Sequence, residues 1–218
     1  MPLACDVRIV GRMYVTFPRL PDREVGYSVV ERDDGVVYQL LGGRAGTALP
    51  HDIMHFVVER ELGITDGIWG GIAAGMVFGS MRHMSGRRPP HVTERSTLLK
   101  RTYRDRIMRA ELLGNLVETI AALDDPSTDE IRRLTGSKLS VLRMPEPPSP
   151  QAFAAAARAL QVEAARWARL RPGEELRYEW VLPVTHHVPR PRDSGDRRDP
   201  RRRLGGRGGR SGRPGPRR

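Results

Sequence analysis

Alternating apolar and polar positions open the chain, and helical spacing replaces them after roughly the first fifth. From Val7 to Phe17 the apolar residues Val7, Ile9, Met13, Val15 and Phe17 fall on odd positions, the period of a half-buried strand. Val25–Glu31 and Val36–Leu41 are two more β-rich runs, separated by Arg32-Asp33-Asp34-Gly35. Asp-Gly suits the positive φ of a tight hairpin, so these runs predict an antiparallel pair. Gly42-Gly43-Arg44-Ala45-Gly46 then forms a flexible joint.

The centre of the chain reads as helical. Pro50 fits a first helical turn and Asp52 favours the positive end of the helix dipole, predicting a helix to about Leu62 with Gly63 as its stop. A second helix is expected over Gly67–Met81 and a long one over Thr93–Leu123, where Leu98, Leu99, Ile107, Leu112, Leu116 and Ile120 supply apolar faces. Ser127 and Glu130 have capping-box spacing at the head of a helix reaching about Leu139. After the stiff Met144–Pro150 connector comes an Ala-rich helix, Gln151–Leu170, with Trp167 read as a core or interface aromatic. Leu176–Val184 has β composition, includes Trp180, and is a candidate to return to the N-terminal sheet. The expected fold is α+β: a small N-terminal antiparallel sheet packed with a bundle of about five helices, residues 1–188 forming one domain.

Charge changes this picture only at the end. The formal net charge is +11, but residues 189–218 hold 12 Arg and 3 acidic residues, whereas residues 1–188 hold 25 basic and 23 acidic ones. Basicity thus belongs to a tail of Arg, Gly and Pro that is expected to be disordered. Its Arg201, Arg202, Arg203, Arg207 and Arg210 have the RGG character of segments that bind nucleic acid non-specifically, although no aromatic follows Trp180 to stack on bases. A solubilising extension is the plainer reading. The single cysteine, Cys5, excludes an intrachain disulfide. The N-terminus lacks the basic start and apolar core of a signal peptide, and Gly67–Met81 is too short to cross a bilayer, so a soluble cytoplasmic protein is expected.

Candidate chemistry concentrates in His51-Asp52-Ile53-Met54-His55, which continues to Glu59. On a helix, His51, His55 and Glu59 form an i, i+4, i+8 row, and two imidazoles with a carboxylate are a frequent ligand set for catalytic zinc. Zinc is therefore the expected cofactor, with His51, His55 and Glu59 as ligands and Asp52 as the acid–base or imidazole-orienting group. Asp52 occupies the position of the general base in the HExxH pattern but is one methylene shorter, which argues against a zinc peptidase. A bland reading competes: Asp52 as a dipole partner, His55 as a core histidine and Glu59 on a solvated face.

The HDxxH spelling, followed by a small-residue segment, resembles the ubiquinone-biosynthesis accessory proteins that carry a zinc-type HDxxH motif. The likeness covers Leu49 to Gly79 and matches His51, Asp52 and His55. It implies a metal site serving quinone or isoprenoid-lipid chemistry on a wholly helical fold. The glutamate that the family places twelve residues after the second His falls here on Gly67, with Asp66 one residue short.

Gly67, Gly71, Gly75 and Gly79 recur every four residues, a stripe that lets another backbone or an apolar ligand approach closely. Tight docking against the His-Asp helix or the long central helix is one reading, and a groove for an apolar small molecule is the other. His83, His91 and the His186-His187 pair are further candidate ligands, with surface positions the plainer expectation. Gly42–Thr47 precedes a helix but lacks the lysine and spacing of a phosphate loop, so it reads as a connection. No Walker loop, nucleophile elbow or dinucleotide fingerprint is present. The chain therefore reads either as a protein with a metal or acid–base site on the HDxxH helix, or as a non-enzymatic interaction protein whose tail holds nucleic acid.

Overall fold

The computed structural model describes residues 12–21, 25–43, 48–142 and 144–181. The chain runs β1 (Arg12–Pro18), β2 (Tyr27–Arg32), β3 (Val37–Leu41), α1 (His51–Glu61), α2 (Ile68–Ala73), β4 (Met81–Ser85), α3 (Val92–Ala121), α4 (Thr128–Leu142), α5 (Pro150–Arg169) and β5 (Glu175–Val181). The fold is α+β, an antiparallel five-stranded sheet in the order β4-β3-β2-β1-β5 packed with five helices. The Val7 and Ile9 end of the first predicted strand, the His186-His187 pair and the tail arginines Arg201–Arg210 lie outside the described residues.

Strand alternation decides which face of the sheet is buried. Trp180 pairs with Met13, Tyr178 with Val15 and Leu176 with Phe17, so the last strand does return to β1. The same side chains continue through Val15 opposite Val30, Val30 opposite Tyr38, and Leu40 opposite Met81. All of these except Tyr178 are buried, and they meet the helices. The opposite face is held by surface pairs such as Arg12–Glu179 and Arg177–Glu31.

Against the apolar face lies α1, whose seven residues from Ile53 to Glu59 are all buried. Phe56 anchors it, with its ring centroid within 6.0 Å of Phe17, Trp69, Tyr178 and Trp180. An anchor of that kind, fully withdrawn from water, contributes on the order of 2–3 kcal/mol. Helices α3 and α5 cover the other sides of α1. The helix ends as its sequence predicts, with Gly63 at φ 65° just beyond the cap.

One element departs from expectation. The Gly67–Met81 segment is not one helix: α2 covers only Ile68–Ala73, and the chain then turns and enters β4, a fourth strand beside β3. Gly75 takes φ 109°, which L side chains avoid and which ends the helix. Of the four-residue stripe, Gly67 admits the Glu59 carboxylate, 2.6 Å from where a Cβ would stand, whereas Gly79 meets nothing within 4 Å. Gly70, outside the stripe, packs on the Thr65 carbonyl oxygen, 1.9 Å from a Cβ position. Among the described residues no helix is long and apolar enough to cross a membrane.

Caps behave as their residue types require. Ser127 accepts from the Glu130 amide at 3.2 Å, and Ser149 accepts from the Ala152 amide at 3.1 Å ahead of Pro150 at the start of α5. Replacing Ser149 with Ala should lower stability by about 1 kcal/mol in urea unfolding, with an unchanged denaturant slope.

Candidate metal centre

The start of α1 places His51 and His55 on one face, one turn apart. Their Nε2 atoms lie 3.2 Å from each other, and His55 Nε2 lies 3.1 Å from Oε2 of Glu111. Glu111 comes from the middle of α3, fifty-six residues further along the chain than His55. The three ligand atoms are all within 4.8 Å of one another, a group able to hold a metal ion.

The burial gradient across this group is steep. His51 is exposed, Glu111 is half-buried and His55 is 2% exposed. Burial pushes the His55 pKa from 6.5 down to about 4, while Glu111 pulls the other way, so the imidazole is neutral and its lone pair available at neutral pH. Close helix packing creates the meeting of His55 and Glu111. Gly114, one turn beyond Glu111, faces α1, and a Cβ there would sit 3.1 Å from His55 Cε1 and 3.2 Å from Met54 Sδ.

Glu59, the expected third ligand, stands elsewhere. It is 1% exposed, and its two carboxyl oxygens accept the Ile68 and Trp69 amides at 2.9 and 3.0 Å. It thereby satisfies the otherwise unpaired N–H groups that open α2. A Cβ at Gly67 would come within 2.6 Å of this carboxylate, so the glycine at that position makes room for Glu59. Both oxygens are committed, which removes Glu59 from the His51–His55 group. Burial raises its pKa from 4.5 to about 8, more than the amides at its oxygens pull it down.

Asp52 stays beside the group. Its carboxylate packs against Gly42 after β3, where a Cβ would meet Oδ2 at 2.7 Å, and burial raises its pKa against the opposing pull of His51. The other described histidines, His83 and His91, do not join. His83 bonds the Gly86 carbonyl at 2.9 Å, and His91 sits at the head of α3 with φ 55°.

A cleft of about 230 Å³ opens over these residues. Its polar end holds His51, Asp52, His55 and Glu111, and its apolar wall is Leu40, Leu41, Ile68, Trp69, Phe78 and Ile107. Glu111 could have been suspected from sequence only through Gly114. A helical glycine three residues after an acid, amid Ala110, Leu113 and Leu116, signals a face pressed against a neighbour.

Compared with protein-family models, curated proteins and solved structures, the chain matches none.

Two outcomes test this arrangement. A buried carboxyl with a raised pKa contributes stability that is full below pH 4.5 and lost as pH rises through about 8. Stability should therefore fall between those values in wild type, and Glu59→Gln should flatten that slope in denaturation curves recorded across pH. Gly114→Val should push the His55 ring off Glu111 and weaken metal binding at least tenfold by competition titration.

Proposed function

We propose that His51, His55 and Glu111 hold a zinc ion and that the protein is a metal-dependent enzyme acting on a small molecule with an apolar part. The observation that carries this reading is the convergence of three ligand atoms at the polar end of an otherwise apolar cleft. Zinc bonds of 2.0–2.1 Å in a tetrahedron imply ligand separations of about 3.3 Å. The observed 3.2 and 3.1 Å, both measured from His55, match two of the three edges, and the third, between His51 and Glu111, lies within 4.8 Å. Proton accounting supports the same reading, because one Nε2–H on His55 cannot serve both His51 and Glu111 along good directions. A cation among the three would satisfy all of them at once.

His51, His55 and Glu111 would hold the zinc, and a zinc held by two imidazoles and one carboxylate would supply Lewis acidity that makes water ionisable near neutral pH. The chain's own residues do the rest. Asp52, adjacent in sequence to His51 and raised in pKa by burial, is placed to take up or return a proton at its carboxylate oxygen. Leu40, Ile68, Phe78 and Ile107 bind the apolar part and exclude water from the reacting end.

Metal analysis of the purified protein after zinc loading and desalting should find one ion per chain. His51→Ala, His55→Ala and Glu111→Ala should each lower the zinc affinity by two orders of magnitude or more, while Asp52→Asn and Glu59→Gln keep it. Metal content below stoichiometry and unchanged in His51→Ala would sink the reading. Metal lost in Glu59→Gln but kept in Glu111→Ala would return the ligand role to α1.

A further inference from the structure

Body charge is balanced in total but not in space. Residues 82–109 carry nine basic and two acidic residues, leaving the rest of residues 1–188 with 16 basic and 21 acidic ones. This segment is β4, the loop after it and the first half of α3. Elsewhere exposed arginines are commonly neutralised, as in Arg12–Glu179, Arg132–Asp129, Arg171–Glu174 and Arg177–Glu31. Arg88 and Arg104 make no ion pair with any described residue. Leaving such charge uncompensated costs self-repulsion, which an anionic ligand would relieve.

A second cavity, of about 200 Å³, lies within this segment between β4 and the head of α3. Arg88, Lys100, Thr93 and Thr97 line it. Lys100 donates to the Val77 carbonyl at 3.2 Å, which fixes its ammonium at the wall and leaves two N–H groups for a ligand. Tyr38 also lines the cavity, 1% exposed, its hydroxyl unpaired among the described residues. The amides that open α3 are close by, with no side chain capping them.

The cavity adjoins the metal cleft. Phe78 lines both. Lys100, Arg104, Ile107 and Glu111 follow one stripe of α3 at helical spacing, so the cationic wall and the metal ligand share a face. Eleven residues at 1.5 Å per residue separate Lys100 from Glu111 by about 16 Å along the axis. We propose that the second cavity seats the phosphate of a phosphorylated amphiphile, whose apolar chain runs past Phe78 into the metal cleft. This inference rests on the metal-site reading for where the chain ends, but the phosphate seat has its own test.

Binding of dodecyl phosphate, dodecanol and inorganic phosphate to the full chain is measured by calorimetry, with zinc content recorded for every sample. Dodecyl phosphate should bind at least tenfold more tightly than either fragment. Arg88→Ala and Lys100→Met should each weaken it about tenfold or more, the loss expected for a hydrogen bond to a charged group, and Lys100→Arg should restore most of it. Zinc content should stay as in wild type. A control pair on α5, Arg158→Ala/Arg169→Ala, should change nothing, which separates the cavity from general attraction to a basic chain. His51→Ala should lose zinc yet still bind dodecyl phosphate through Arg88 and Lys100. Equal binding by wild type and both cavity variants would overturn the proposal while leaving the zinc site standing. Equal binding of inorganic and dodecyl phosphate would overturn the shared ligand path, and loss of phosphate affinity in His51→Ala would place the phosphate on the metal instead.

Discussion

Burial of α1 on nearly every side is the constraint from which the rest of the structure follows. The sheet presses on Phe56, α3 and α5 cover the flanks, and seven consecutive residues are withdrawn from water. A helix so placed can carry polar side chains only where each finds a partner, because an unpaired buried group costs several kilocalories per mole. Two polar residues lie within that buried run, His55 and Glu59. Glu59 meets the demand with the amides that open α2, whereas His55 meets it at Nε2, beside Glu111 and His51, and its Nδ1 has no hydrogen-bond partner among the described residues.

These two solutions shape each other. By gripping Ile68 and Trp69, Glu59 sets the wall of the cleft above His55, since both of those residues line it. Its carboxylate is thereby spent on structure, and the acid that meets the two histidines comes from another helix. Gly67 and Gly114 are the permissive positions at the two contacts, one beside the Glu59 carboxylate and one beside the His55 ring. The short α2 follows from the same economy. It is long enough to present its N-terminus to Glu59, and Gly75 then redirects the chain into the fourth strand.

The cleft has a polar end and an apolar end. Two imidazoles, that of His55 neutral through burial, gather with a half-buried carboxylate and Asp52 at one end, and aliphatic and aromatic side chains line the other. Beyond Phe78 the surface turns cationic. Polarity therefore changes along a line that tracks one face of α3, and a ligand extended along it would meet three environments in order. A near-neutral total for the body conceals this, because sums over sequence discard position.

Local periodicity made much of the fold legible. Strand alternation identified Met13, Val15 and Phe17 as the inward row, the Asp-Gly turn marked the β2–β3 hairpin, and Ser127 and Gly63 marked helix ends. The four-residue spacing of His51 and His55 is likewise a property of any helix they share. What spacing cannot report is which of several nearby carboxylates a buried imidazole meets. Glu59 lay on the correct row of α1, yet its two oxygens accept two successive α2 amides and so stand away from the histidines. Glu111 depended on α3 crossing α1 where Gly114 removes a side chain. The sequence by itself determined the element types and the paired histidines, because those follow from backbone geometry within a few residues. Only the tertiary structure decided which carboxylate meets the two histidines and that a fourth strand forms beside β3, because each depends on packing between segments far apart in the chain.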